Sequence, residues 1–167
     1  GVKHRAWRLR RANYGELVQF DGSYEHWFED RNNTSEICLL LAVDDATGQI
    51  VQANFDDHEG VFPVFRFWQN YLMNTGKPLS IYLDKFSTYK MNQKVALDNH
   101  DLKTQFQRAM TELQTEPIFA NSPQAKGRVE RIFGTLQDRL IKELRLNNIS
   151  DIETANQFLK KKFIPDF

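Results

Sequence analysis

The chain contains 167 residues, of which 41% are apolar and 26% are charged. This length and balance are typical of one globular domain with a sizeable core, and they exclude an intrinsically disordered chain. No apolar run approaches the roughly 20 residues that span a bilayer, and the single cysteine cannot form an internal disulfide or a cysteine-based metal cage, so we expect a cytoplasmic protein without a membrane partner.

Charge is distributed unevenly along the chain, although the net charge is zero. Residues 1–14 carry five basic residues and no acid, whereas residues 15–60 carry eleven acids and one arginine. We assign residues 1–14 to a basic arm or linker, because they lack apolar periodicity. Such asymmetry fits a basic segment that meets a polyanion beside an acidic region that attracts cations. It fits the uneven surface of an ordinary domain equally well, so charge alone leaves both interpretations open.

Three strands are predicted in the first third of the chain. The first runs from about residue 16 to residue 28, with a bend near Gly22. Residues 36–44 form a continuous apolar run, which is typical of a central strand buried on both faces. Turn residues at 45–48 and a mixed run at 49–55 complete an antiparallel meander.

Helical and strand patterns alternate in the rest of the chain. The predicted elements are a helix over 60–76, a strand over 79–84, a polar loop over 85–100, a helix over 102–113, a strand over 117–119, a long helix over 122–146 and a last helix over 151–163 that Asp151 or Ser150 caps. A meander followed by alternating helices and strands predicts an α/β fold with a five-stranded mixed sheet flanked by helices.

Three acidic residues occur in positions that could form one site. Asp21 lies within or just after the first strand, and Asp84 ends the fourth. Functional groups of open α/β sheets gather at strand ends, so these two carboxylates share a crevice if their strands are neighbours. Glu130 lies on the long helix, about 90° from the centre of its apolar arc at roughly 100° per residue.

Carboxylates brought together in this way favour hard divalent cations. Without a counterion they repel one another. Mg²⁺, which prefers oxygen ligands, is the cation that usually balances this charge where a phosphate shares the site. Two such ions, about 3.5–4 Å apart, clamp the attacking and leaving oxygens of an in-line phosphoryl transfer. Each acid alone is more often structural: Asp21 as a turn residue, Asp84 as a cap and Glu130 as an exposed acid. The metal hypothesis depends on their joint occurrence.

Three segments carry a resemblance to a known family. Leu17–Ser23, Ile81–Asp84 and Asn121–Arg131 together resemble the integrase-core family of retroviral integrases and bacterial insertion-sequence transposases. The resemblance covers residues 15–147, which we assign to the catalytic core. Residues 148–167 are then the C-terminal helix of the core or the start of a linker.

The resemblance implies a ribonuclease-H-like fold and an Asp-Asp-Glu triad. Asp21, Asp84 and Glu130 would be the catalytic residues and metal ligands, with two Mg²⁺ or Mn²⁺ ions expected when DNA is bound. Lys126 falls where relatives often present a polar side chain to DNA. The acids of the turn at residues 44–45 match family positions that are not catalytic.

DNA contacts are predicted on the outer face of the long helix. Lys126, Arg128 and Arg131 lie near the triad, and a basic face suits a phosphate backbone. The alternative is a solvated helix face with pairs such as Asp138–Lys142. Gly134 either allows DNA to approach closely or only eases packing.

The leading hypothesis is a DNA transposase or integrase core that cleaves transposon ends and transfers the strands to target DNA. We expect a homo-oligomer in the full-length protein, associated with the nucleoid of a bacterial cytoplasm. A ribonuclease-H-type metal-dependent nuclease and a domesticated DNA-binding core without catalysis remain alternatives. A glycosidase carboxylate pair is disfavoured by the third acid and by the lack of an aromatic sugar-binding motif.

Overall fold

A five-stranded mixed sheet forms the centre of the fold. The computed structural model describes residues 12–57, 61–84, 108, 110–120 and 127–167. The strands are β1 (Leu17–Glu25), β2 (Ile37–Asp44), β3 (Ile50–Asp56), β4 (Ser80–Asp84) and β5 (Glu116–Ala120). Their spatial order is β3-β2-β1-β4-β5. The meander β1–β2–β3 is antiparallel, whereas β4 pairs in parallel with both β1 and β5. The predicted mixed sheet is therefore confirmed, and strands one and four are neighbours.

The first strand is shorter than the sequence pattern predicted. It ends at Glu25, not near residue 28, and the chain then turns with a hydrogen bond of 2.9 Å from the Glu29 nitrogen to the His26 carbonyl. Glu29 has a φ of 57°, which no strand residue adopts. Trp27 and Phe28 are nevertheless buried, so their apolar character reflects burial in a turn and not strand pairing.

The helices lie on both sides of the sheet. They are α1 (Val61–Thr75), α2 (Gly127–Leu146), α3 (Ile152–Phe158) and α4 (Ile164–Asp166), with a π-helical turn at Leu159–Phe163. Asp151 caps α3, since its carboxylate accepts a hydrogen bond of 2.9 Å from the Thr154 nitrogen. Residues 108 and 110–112 are helical, as predicted. The predicted loop at 85–100 and the predicted start of the long helix at Ser122 lie outside the described residues.

Two apolar clusters lie on opposite faces of the sheet, because successive side chains along a strand point to opposite faces. On the α2 face, Leu39, Leu41 and Val43 pack with the buried arc of α2 and with the C-terminal helices. That arc consists of the five residues predicted from the sequence, which are Val129, Phe133, Leu136, Leu140 and Leu144. On the opposite, α1 face, Leu40 and Ala42 pack with Phe67, Trp68 and Tyr71 among other residues. Burial on both faces explains why β2 is apolar throughout.

None of the described helices combines the length and the apolar character that a membrane span requires.

Candidate active site

Asp21 and Asp84 lie at matching positions on neighbouring parallel strands. The parallel ladder between β1 and β4 ends with the pair Gln19 and Tyr82. Asp21 and Asp84 each lie two residues beyond that pair, and Asp84 is the last residue of β4. The two strands therefore carry an aspartate at the same level, which is the carboxyl end of β4 and the middle of β1.

The carboxylate of Asp21 lies on the α2 face of the sheet. Asp21 is paired across the sheet with Leu41, which packs in the cluster beneath α2, and residues directly opposite on paired strands share a face. Asp21 is partly buried, and its Oδ1 accepts a hydrogen bond of 2.9 Å from the Gly22 nitrogen. The site that Asp21 could contribute to is thus bounded by the end of the sheet and by α2.

Glu130 lies in the first turn of α2 and is exposed. The neighbouring Val129 is fully buried beneath the helix, and Glu130 itself lies on the solvent side of the predicted boundary. A carboxylate in the first turn also interacts favourably with the positive end of the helix dipole. The helix packs on the face of the sheet that carries Asp21; that Glu130 joins the two aspartates in one site stays a prediction.

Asp21, Asp84 and Glu130 supply carboxylate oxygens, which are the type of ligand that hard cations prefer. Carboxylate oxygens are the ligands that Mg²⁺ and Mn²⁺ take in phosphoryl-transfer sites. Among the residues whose side chains are described, no three His, Cys, Asp or Glu residues form a group that could hold a metal ion. The side chain of Asp84 lies outside that set, so the assignment of the triad stays a prediction.

A buried polar contact joins β1 to the start of α2. Gln19 is 0% exposed. Its Oε1 accepts hydrogen bonds from the backbone nitrogens of Arg128 at 3.1 Å and Val129 at 3.2 Å. Its Nε2 donates to Oδ1 of Asp45 at 2.5 Å. Gln19 was not among the residues predicted from the sequence, although an amide between the apolar residues Val18 and Phe20 was a usable signal.

The three residues predicted to bind DNA differ in their surroundings. Lys126 lies outside the described residues. The guanidinium of Arg128 donates to the carbonyl oxygens of Asp45 at 2.7 Å and Ala46 at 3.3 Å, so it holds the β2–β3 turn. Arg131 is exposed, and no ion pair or hydrogen bond engages its guanidinium within the described part of the chain.

Two basic residues in the second half of α2 form ion pairs within the protein. Lys142 contacts Asp138 at 2.8 Å, and Arg145 contacts Glu29 at 2.8 Å. Hydrogen bonds from Arg145 and then from Arg31 lower the pKa of the Glu29 carboxyl below its usual value. These partners agree with the solvated-face interpretation for this end of the helix. Glu130 and Arg131 lie in the other, first half of the helix.

Gly134 lies on that half of the helix. A Cβ built on it meets no described heavy atom within 4 Å, so its small size does not serve packing against the described residues. An exposed glycine inside a helix costs about 1 kcal/mol relative to alanine. Close approach of DNA at Gly134 stays a prediction.

A cleft of about 650 Å³ lies elsewhere, between α1, β3 and the C-terminal helices. Amide side chains and two lysines, Lys160 and Lys161, contribute to its lining. Neither Asp21 nor Glu130 borders it, so the cleft is not the candidate active site.

Comparison with known proteins agrees with this arrangement. No family model matches the chain. Over 154 residues, or 92% of the chain, it is 48% identical to a protein of Sinorhizobium fredii named as a transposase, y4bF. It is 39% identical over 91% of its length to the transposase for insertion sequence IS1202 of Streptococcus pneumoniae. The chain spans about a third of the length of both curated relatives, since it covers 33% and 32% of them.

A solved structure shares the fold described above. The integrase catalytic core domain of HTLV-2, in complex with magnesium, superposes with a TM-score of 0.62 at 19% sequence identity. The match covers 86% of this chain and 80% of that one. The chain therefore has the ribonuclease-H-like fold of integrase catalytic cores, and its sequence is related to bacterial insertion-sequence transposases, which confirms the expected fold and resemblance.

Proposed function

We propose that this chain, an integrase-type core related to insertion-sequence transposases, catalyses cleavage of DNA at transposon ends and transfer of the strands into target DNA. The observation that carries the proposal is the position of Asp21 and Asp84 at the same level of β1 and β4. Glu130 lies in the first turn of the helix that packs on the same face. The relation to transposases in sequence supports the same chemistry.

Asp21, Asp84 and Glu130 would hold two divalent metal ions, Mg²⁺ or Mn²⁺. When bound, these ions would lower the pKa of the attacking water or hydroxyl and balance the charge that develops on the phosphoryl oxygens. The carboxylates orient the reacting groups by their fixed positions on the sheet and on α2. The magnesium complex of the HTLV-2 core, which shares the fold, supports this choice of ion.

The two proposed steps use the same displacement at phosphorus. In the first, a water oxygen attacks the phosphodiester at the transposon end, and the bond from phosphorus to the 3′ oxygen breaks to free a 3′ hydroxyl. In the second, that hydroxyl attacks a phosphodiester of the target, and the target's own 3′ oxygen leaves. One bond forms and one breaks in each step, so a single site serves both.

DNA would approach across the first half of α2. Arg131 is exposed and unpaired among the described residues, and Lys126 lies four residues before Glu130 in the sequence. Arg128 would contribute to DNA binding mainly by fixing the start of the helix. Because cleavage and joining involve two ends, we propose that the full-length protein acts as a homo-oligomer in a bacterial cytoplasm, at the nucleoid.

The proposal is tested with end-labelled duplex DNA and Mn²⁺ or Mg²⁺. We expect metal-dependent strands with 3′ hydroxyls, and joined products when a free 3′ hydroxyl is supplied. Glu130→Gln should reduce both by more than about a hundredfold, since a lost ligand removes several kcal/mol of transition-state stabilisation. Asp138→Asn, a change at an exposed acid on the same helix, should leave them unchanged.

Other outcomes would favour the alternatives. Hydrolysis without joined products would indicate a ribonuclease-H-type nuclease. DNA binding with no product, equal in the wild type and in Glu130→Gln, would indicate a DNA-binding core without catalysis.

A further inference from the structure

The side chain of Gln19 contacts three parts of the fold at once. It lies on β1, and its amide bonds the first turn of α2 through Arg128 and Val129 and the β2–β3 turn through Asp45. Two N–H donors face the amide oxygen, and a carboxylate faces the amide nitrogen. Because only one orientation of the amide satisfies all of these groups, the side chain is fixed.

These contacts lie immediately beside two of the candidate ligands. Glu130 directly follows Val129, and Asp21 lies two residues beyond Gln19. The hydrogen bonds of the Gln19 side chain therefore join the strand that carries Asp21 to the helical turn that carries Glu130. A shift of α2 along the sheet would break those bonds and would also change the separation of the two carboxylates.

Arg128 holds the same helix end from the other side. Its Nε donates to the Asp45 carbonyl at 2.7 Å and its Nη2 to the Ala46 carbonyl at 3.3 Å. Its Nη1 lies so close to Gly48 that a Cβ there would come within 2.7 Å. The start of α2 is thus fixed to both β1 and the β2–β3 turn.

Packing alone does not account for an amide at this position. The neighbouring residues of β1, Val18 and Phe20, are buried and apolar, and a buried amide is costly unless it is hydrogen-bonded. The first N–H groups of a helix lack acceptors within the helix, and Gln19 supplies one for two of them.

We propose that Gln19 is a positioning residue, which holds α2 on β1 so that Glu130 and Asp21 share one metal site. The proposal rests on the proposed function, because it assigns Gln19 a role in that site. Gln19 itself need not contact the metal or the DNA. Partners that orient the ligands of a metal site typically change metal affinity by about 10- to 100-fold when they are removed.

Gln19→Met tests the role directly, because it keeps the length of the side chain and removes its hydrogen bonds. We expect Mn²⁺ affinity, measured by calorimetry with duplex DNA present, to fall by about 10- to 100-fold. Hydrogen exchange at the Arg128 and Val129 amides should accelerate. Ser80→Ala is the matched control, since it removes a partly buried hydrogen bond of 2.8 Å to the Glu16 carbonyl without touching α2. It should leave metal affinity unchanged.

A pair of substitutions keeps the test informative if Gln19→Met does not fold. Gln19→Glu sets two buried carboxylates against each other and should weaken Mn²⁺ binding. Adding Asp45→Asn restores one donor and one acceptor between positions 19 and 45, with the same net charge as the wild type. We expect this second change to recover most of the lost affinity, which a general loss of stability would not do.

The results separate the two proposals. Unchanged Mn²⁺ affinity in a folded Gln19→Met, or no recovery in the Gln19→Glu, Asp45→Asn pair, would overturn the role of Gln19 while leaving the proposed function intact. Absence of saturable Mn²⁺ binding in the wild type, with DNA present, would instead count against the proposed function itself.

Discussion

Asn156 on α3 makes two hydrogen bonds with the backbone of Phe55 on β3. Its Oδ1 accepts from the Phe55 nitrogen at 2.6 Å, and its Nδ2 donates to the Phe55 carbonyl at 3.1 Å. β3 is an edge strand of the sheet, and unpaired backbone groups on such an edge need partners. The C-terminal helices also bury Ala155, Leu159 and Phe163 against the α2 face. We therefore propose that residues 148–167 belong to the core.

We expect Asn156→Ala to destabilise the fold, because it leaves partly buried backbone groups of Phe55 without these partners. The expected loss is about 1–3 kcal/mol in the free energy of unfolding, measured by urea denaturation. Gln157→Ala, a change at the exposed neighbouring residue, is the control and should have little effect. Equal urea midpoints for Asn156→Ala and Gln157→Ala would contradict the role assigned to Asn156.

Gly48→Ala should destabilise the protein for two reasons. Gly48 has a φ of +75°, and its added Cβ would lie 2.7 Å from Nη1 of Arg128. The backbone strain alone costs about 1–2 kcal/mol. Gly15→Ala is a matched control, because Gly15 has a φ of +78° and nothing within 4 Å of its Cβ position. Thermal unfolding should show a larger loss for Gly48→Ala, and equal losses would mean that Arg128 moves aside without consequence.

Gly134→Ala should make the protein more stable and weaken its binding to DNA. Alanine gains up to about 1 kcal/mol in an exposed helix, and the added Cβ meets no described atom. If DNA passes close to this face, its affinity at fixed salt should fall despite the gain in stability. Asn70→Ala, a change at an exposed position on α1, is the control: it should raise stability without changing DNA affinity. Unchanged DNA affinity in Gly134→Ala would exclude close approach at this point.

Tyr71 should titrate late in strong base. Burial, followed by the nearby Tyr14 and Asp44, raises its pKa from 10.0 to about 12. The folded state disfavours the phenolate, so ionisation of Tyr71 lowers the free energy of unfolding. The contribution of the neutral Tyr71 to that free energy is fully present below pH 10.0 and is lost as the pH rises through about 12. Near-ultraviolet absorbance should show a late phenolate step that Tyr71→Phe removes. Its persistence in Tyr71→Phe would assign the step to another tyrosine.

The parts of the fold that follow from local periodicity could be predicted from the sequence. The continuous apolar run of β2 indicated a strand buried on both faces, and the spacing along α2 identified its five buried residues. Each signal lies within one element, where the side-chain period directly reports burial.

The features that were missed depend on contacts between distant segments. The role of Gln19 arises from residues about 110 positions away, which no local pattern records. The π-helical turn at Leu159–Phe163 has apolar ends and three lysines, a pattern that an α-helix would also show. For the site, the sequence and the family resemblance named the three acids, and the backbone now places two of them at matching strand positions; their ligation remains a prediction.

The most direct test of the metal site is calorimetric titration of Mn²⁺ into the chain with duplex DNA present, comparing the wild type with Asp84→Asn and with Asp138→Asn. The account predicts saturable binding in the wild type and in Asp138→Asn, and loss of that binding in Asp84→Asn. Equal binding in all three proteins, or no binding in the wild type, would contradict a metal site built on Asp21, Asp84 and Glu130.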